Sequence, residues 1–526
     1  MADVVKFFEK ELNAFYKDYP NKEEFEWTIF DNIIQKLNFI DIKLEVHEDA
    51  NIIFETLNSR GKQLDSSDLI RNYLFMIPQI KKAGEIQIYQ KYWQPLEKYF
   101  EELAEQKIKH SFSSFLKYFL FAHVVADIRQ DRIYPEMKDF LTNFLDKNSV
   151  SALFDKLRTY KSFFEILIFP NEIDVQKYSQ NIKIALKIIN YCDVFASTPL
   201  VLKAFELFSD KKIQKSTLEN ILLLIASYTL RLVVNEKKFP NKTLPNLIKL
   251  LSHFDNEEDL PQKMADEIIK LKATPFYNDE AFKSRLLEYN IYDNKRRKLV
   301  SYLIWLAIFK HSEGKLGYPY SSDLSIEHIF PQKATKHDLS DEEFLKTKKL
   351  LNTIGNLTLL TQSLNSSLSN KSFLEKKPKL QEYTIWNYER ENYFSQDQWT
   401  SEQILERSEF IAEQIIAVLP SPENTQDTTD YIWKVEGEKI EGKNQKIQFV
   451  NALQKMYQLS EKEAWKNLSI IGTANADKMS FTESQQKYLV NIQGVYFNYL
   501  ASLPAKEERL KKIAERLYLS FQISNL

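Results

Sequence analysis

The chain has 526 residues, with 71 Lys and Arg against 73 Asp and Glu, a formal charge of −2. That balance excludes a uniformly basic nucleic-acid coat, so any contact with nucleic acid must come from local patches. A hydrophobic share of 44%, with 13% aromatic residues, can fill several cores, and at roughly 100–200 residues per domain the length implies three or four units.

The opening MADVVKFFEKEL mixes acids with its apolar residues and lacks the basic-then-apolar order of a signal peptide. Residues 1–80 read as amphipathic helices ending in HEDANIIFETLNSRGKQLDSSDLIRNYLF. There Ile52, Ile53 and Leu57 fall at helical spacing, Gly61 supplies a left-handed stop, and Asp65 with Asp68 starts the next helix. Asn58, Arg60 and Gly61 are candidates for a nucleotide or effector site; a helix-ending turn accounts for the Asn and the Gly equally well.

Residues 81–313 keep the helical pattern, in segments such as SFSSFLKYFLFAHVVADI and KSTLENILLLIASYTLRLVV, without a repeat of fixed period. With only nine glycines, a mainly α fold of helical bundle domains is expected. The apolar runs NILLLIASYTLRLVV and LVSYLIWLAIF are too short, or interrupted by Arg231, to span a bilayer. The single cysteine, Cys192, leaves no internal disulfide and no cysteine-built zinc site. Together these predict a cytoplasmic protein with no membrane segment. The basic run Lys295, Arg296, Arg297 and Lys298 is a candidate for contact with a DNA backbone, although such a run is usually a solvated face.

At Gly314 the pattern changes. GKLGYPYSSDLSIEHIFPQ brings two glycines and two prolines and then a short β-type run, so a new unit is expected over 314–418. Glu327 and His328 lie in that run, Gly355, Asn356 and Leu357 enter a second one, and Asn365 begins a polar helical segment with Lys371 beyond it. Strand, loop, strand, helix carrying His, Asn and Asn in that order is the layout of a ββα-metal nuclease finger. Phosphodiester hydrolysis needs a base for the attacking water and a stabiliser for charge on the leaving oxygen. A neutral His328 suits the first task, and one Mg²⁺ (or Mn²⁺) held by the Glu327 carboxylate and the Asn365 amide oxygen suits the second, because magnesium keeps most of its waters. Asn356 is expected to orient the loop so that His328 stays in register. Residues 327 and 328 point to opposite faces of a strand, so a bend at Pro331 is needed to bring both into one site. The window 331–380 holds nine lysines against five acids, which suits phosphate contact by residues such as Lys371. His337 and Asp338, in a polar loop, read as solvent-exposed; the histidines at 47, 110, 123, 253 and 311 read as core or surface.

LPSPENTQDTTD over 419–430 reads as a linker. Beyond it, 431–526 combines IWKVEG and VYFNYLAS with a charged helix, KEERLKKIAERLYLSF, and is expected to form a small α+β C-terminal domain. Trp433, Trp465, Tyr496 and Phe497 there read as core more readily than as a pocket for a modified base.

The 327–365 pattern resembles the HNH, or His-Me finger, domain of GmrSD-type modification-dependent restriction enzymes. NIIFETLNSRGKQLDSSDLI is similar to the second half of that family's ParB-like sensor domain. The two matches cover about a third of the chain, in the family's order. The resemblance implies a metal-dependent DNA endonuclease or nickase of bacterial antiviral defence, acting on modified phage DNA. The family's Asp-Gly-Gln-Gln-Arg run, which supports nucleotide binding, has no counterpart here. The sensor region over 1–80 is therefore read as partial. A companion subunit carrying that run is expected to complete it, and nucleotide binding is expected only then. One finger cuts one strand, so a double-strand break calls for a homo-oligomer or repeated nicking. A non-catalytic DNA-binding or regulatory subunit, and an RNase, remain open as alternatives.

Overall fold

Short polar side chains begin the helices. Asn21, Ser149, Asn278 and Ser340 each accept a hydrogen bond from a first-turn N–H, satisfying donors that the helix itself leaves open. The computed structural model describes residues 2–17, 21–36, 65–124, 132–293, 296–312, 324–333, 339–383, 387–422, 431–436, 438–440, 445–460, 474–475, 489–492, 495–498, 510–515, 517 and 519–525. Asn58, Arg60, Gly61, Lys295, His337, Asp338, Trp465 and the 423–430 part of the linker lie outside them. The fold is mainly α, with three small sheets among the described residues.

The chain divides into two compact units, residues 1–65 and 66–526. In the first, α1 (Ala2–Tyr16) and α2 (Lys22–Ile29) are described, the latter running into a π turn over Phe30–Ile34. Glu23 and Glu24 in the first turn of α2 suit the positive end of the helix dipole.

The second unit opens with α3 (Ser66–Met76), whose Ile70, Leu74 and Phe75 enter a large helical core. Periodic apolar residues carry that core through Trp93, Phe115, Phe164 and Phe205 to α4 (Lys215–Val234), α5 (Asp279–Glu288) and α6 (Arg297–His311). Among the described residues α4 alone is long and apolar enough to cross a membrane, and 78% of its most apolar window is buried inside the protein, as a core helix requires. Arg231, on α4, is fully buried. It bonds Asp279 at 2.6 Å, the carbonyl of Leu419 at 2.8 Å and Ser227 at 3.1 Å, and its guanidinium stacks on Phe282.

The helical core does not end at residue 313. Ile354, Leu357 and Leu359 belong to it, as do Ile411, Ala412 and Ile415 of α10 (Ser401–Val418). Between α6 and α10 lie α7 (Asp341–Lys349), α8 (Gln362–Leu368) and α9 (Phe373–Tyr383). They enclose a second, smaller core of Ile329, Phe330, Phe344, Leu360, Leu368, Phe373, Leu380 and Trp399. A third core, with Val435, Phe449, Leu453, Met456 and Ile513, sits under α11 (Gln445–Leu459). It accompanies two sheets, one of β4 (Glu438–Lys439), β3 (Tyr431–Val435) and β8 (Phe521–Asn525), the other of β5 (Ala474–Asn475), β7 (Val495–Asn498) and β6 (Leu489–Ile492), so the C-terminal segment is α+β. The last strand, β8 (Phe521–Asn525), pairs with β3 (Tyr431–Val435), placing Trp433 opposite Ile523. Tyr496 and Phe497 lie on β7 (Val495–Asn498), opposite Asn491 and Val490.

Candidate active site

A two-stranded ribbon lies between the first two cores. β1 (Leu324–His328) pairs antiparallel with β2 (Leu357–Thr361), with Ser325 opposite Leu360, Glu327 opposite Thr358 and His328 opposite Leu357. Alternation along the strands puts Ile326, His328, Leu357 and Leu359 on one face and Ser325, Glu327, Thr358 and Leu360 on the other. The first face packs on the helical core through Leu357 and Leu359; the second reaches the smaller core through Leu360. α8 follows β2 directly, started by Thr361.

Asn356 is fully buried and all its side-chain hydrogen-bonding capacity is used. Its Nδ2 donates to the carbonyls of Leu351 (2.8 Å) and Phe330 (3.1 Å). Its Oδ1 accepts from Phe330 N (2.7 Å) and Trp399 Nε1 (3.0 Å). A residue before β2 thus holds both polar groups of the segment that leaves β1, immediately after His328. Gly355, one residue earlier, lies against α10 so closely that a Cβ there would meet Ile404 O at 2.0 Å and Ser408 Oγ at 2.3 Å. Arg407 of α10, itself buried, donates to the carbonyls of Gly355 (2.9 Å) and Leu357 (2.6 Å) and pairs with the buried Glu389.

His328 is buried against the helical body. Its Nε2 lies 3.0 Å from Asn352 Oδ1, and its ring meets the edge of Tyr292 with centroids 4.6 Å apart. Asn352 is anchored in turn, since its carbonyl accepts from the N–H groups of Ile291 and Tyr292. The amide nitrogen of Gln332 lies 3.4 Å from the same ring nitrogen, so Nε2 is held between two side-chain amides and its role depends on the tautomer. Burial lowers the His328 pKa from 6.5, with the Asn352 hydrogen bond opposing, so the neutral ring is favoured.

Glu327, on the other face, meets Lys376 of α9. The ammonium lies 2.5 Å from Glu327 Oε1 and donates to the carbonyl of His328 at 2.7 Å. The buried carboxylate is thus ion-paired with the ammonium at Oε1. Burial pushes the Glu327 carboxyl up, with Lys376 opposing, and lowers Lys376, with Glu327 opposing. Asn365, on α8, donates through Nδ2 to Ser325 Oγ (2.7 Å) and to the carbonyl of Ile326 (3.1 Å). The carbonyl requires a donor, which fixes the amide orientation and leaves Oδ1 as the acceptor atom of the side chain. Asn365 therefore approaches β1 beside Ser325, on the face of Glu327, whereas His328 points to the opposite face. Among the described residues no three His, Cys, Asp or Glu side chains gather as a metal cage.

Of the basic candidates, Arg297 sits over the Tyr292 ring at 5.9 Å, one aromatic ring away from His328. Arg296 instead packs on Tyr289 and pairs with Asp293. Lys371 is exposed just past α8. Asn352, Lys376, Tyr292 and Arg407 were not singled out by the sequence reading. Asn352 carried one usable signal, an asparagine four residues ahead of Asn356 in the same polar segment.

No curated protein matches the chain. Two protein-family models do. Residues 1–75 match the GmrSD restriction endonuclease N-terminal domain, and residues 276–414 match the C-terminal domain of GmrSD restriction endonucleases. The second match takes in α5, α6, the ribbon and most of α10, the elements that surround His328, Glu327, Asn356 and Asn365. The chain is thus similar to the GmrSD restriction endonucleases over two of their domain models, matched in order.

Proposed function

We propose that the ribbon and α8 form an HNH, or His-Me, finger, and that the protein is a metal-dependent endonuclease cutting or nicking modified phage DNA. The observation that carries this is the buried His328 imidazole, kept neutral by burial and held at Nε2 by Asn352, beside a basic approach at Arg297. In this reading the neutral His328 imidazole takes the proton of the attacking water. Asn352 holds the ring, and Asn356 holds the chain that follows His328. Arg297, Lys371 and the 295–296 pair contribute phosphate contacts.

The donor set fits one hard divalent cation. Glu327 offers a buried carboxylate, paired with Lys376 at Oε1, and Asn365 offers an oxygen whose amide nitrogen is already committed. Glu327 and Asn365 would hold Mg²⁺ or Mn²⁺, which when bound supplies electrostatic stabilisation of the charge on the leaving oxygen. We further propose that a companion subunit completes the sensor half, that nucleotide acts only through it, that paired copies make double-strand breaks, and that the protein works in the cytoplasm.

Plasmid nicking in Mg²⁺ or Mn²⁺ tests this. His328→Ala is expected to lose activity by roughly 10²–10⁴-fold while still unfolding in a cooperative melt. Retained nicking would overturn the assignment, and parallel RNA substrates separate a DNase from an RNase. The Glu327–Lys376 pair favours a second reading, a non-catalytic DNA-binding subunit whose finger is a scaffold. Absence of metal-dependent cleavage by the chain, alone and with its companion, would favour that one.

A further inference from the structure

The spacing of α9 calls for an apolar residue where Lys376 stands. Phe373 and Leu380, three residues before and four after it, are both buried in the smaller core, so position 376 lies on the same inward stripe. A lysine on that stripe is costly unless its ammonium is paired, and here it has two oxygens to hold it. Its side chain is 1% exposed and Glu327's is 7%, which makes this an interior ion pair rather than a surface one.

We propose that Lys376 is a built-in competitor of the divalent cation at Glu327. It neutralises the carboxylate and holds the end of β1 while no metal is bound, and it gives up the carboxylate when metal arrives. This rests on the metal-dependent reading above. Two cations sharing one buried carboxylate repel each other with little solvent between them, so Lys376 weakens metal binding. The same ammonium bonds the His328 carbonyl, so loading the cation also frees the backbone of the residue assigned as base. The metal requirement and the position of His328 are thereby coupled through one side chain.

The test uses the full chain and Mn²⁺ itself, with free ion counted by electron paramagnetic resonance. K376Q drops the charge but keeps a donor for the His328 carbonyl, K376M drops both, and K376R keeps both. Binding on the order of tenfold tighter in K376Q and K376M, with K376R near wild type, supports the proposal. The gain should vanish when E327Q is added to K376Q. Unchanged or weaker binding in a folded K376Q overturns it. A second measurement needs no variant: in wild type labelled with ¹⁵N-lysine, a slowly exchanging buried ammonium signal should disappear on adding Mg²⁺. Its persistence at Mg²⁺ levels that support nicking would also overturn the proposal. Nicking by wild type against His328→Ala reads the nuclease assignment separately, so failure of either idea is recognisable on its own.

Discussion

At the scale of single residues, what distinguishes His328 from the other histidines is its neighbours. Its Nε2 faces an anchored amide oxygen and its ring faces a tyrosine edge, so two of its sides are fixed before any substrate arrives. Burial lowers its pKa, and the sign of the consequence can be worked out. Protonation is disfavoured in the folded protein, so the neutral form persists to lower pH than for a free imidazole at 6.5. The acid limb of kcat/KM for nicking is therefore expected below pH 6.5. A pH–rate profile checks this, and a limb at or above that value would count against a buried His328 base. The same sign applies to stability: the contribution from a buried neutral histidine is complete above 6.5 and is lost as the pH falls toward the lowered value.

At the scale of elements, the ribbon is held from behind by α10. Arg407 takes up the carbonyls that the short turn before β2 leaves unbonded, and Ser408 Oγ accepts from Gly355 N at 3.0 Å. The glycine is required by this close approach, since the atoms a Cβ would strike include the Ile404 carbonyl, which belongs to backbone. Gly355→Ala should therefore destabilise by about 1–3 kcal/mol or force the ribbon away from α10, measured by urea unfolding. It should also reduce nicking, because Asn356 and the strand end shift with it. A variant as stable and as active as wild type would show that the turn and α10 are not tightly packed.

At the scale of the whole molecule, the candidate site is built across a core shared by the helical body and the two-stranded ribbon. Leu357, Leu359, Ile411 and Ile415 are buried with helices that begin nearly three hundred residues earlier, while Ser227 and Arg231 tie down the chain at Leu419. A chain ending after residue 422 keeps every one of these contacts. Its melting temperature is expected within about 5 °C of the full chain. A chain ending after residue 312 exposes the face that α10 covers, and it should aggregate or unfold non-cooperatively in calorimetry. If the 1–312 chain melts as cooperatively as the longer one, the two regions have separate cores after all.

The sequence by itself determined the helical class, because apolar periodicity and N-capping residues are local properties of neighbouring positions. It also identified His328, Glu327, Asn356 and Asn365 as the residues of interest, because their order and spacing mirror the succession of strand, loop, strand and helix. Tertiary structure alone decided which groups meet. The Asn352 partner of His328, the Lys376 partner of Glu327 and the Arg407 clamp on Gly355 lie 24, 49 and 52 residues away along the chain, 49 being 376 less 327. No periodicity spans such separations. The shared core escaped notice for the same reason: a strand or helix shows which of its faces is apolar, and only the packed molecule shows what that face is buried against.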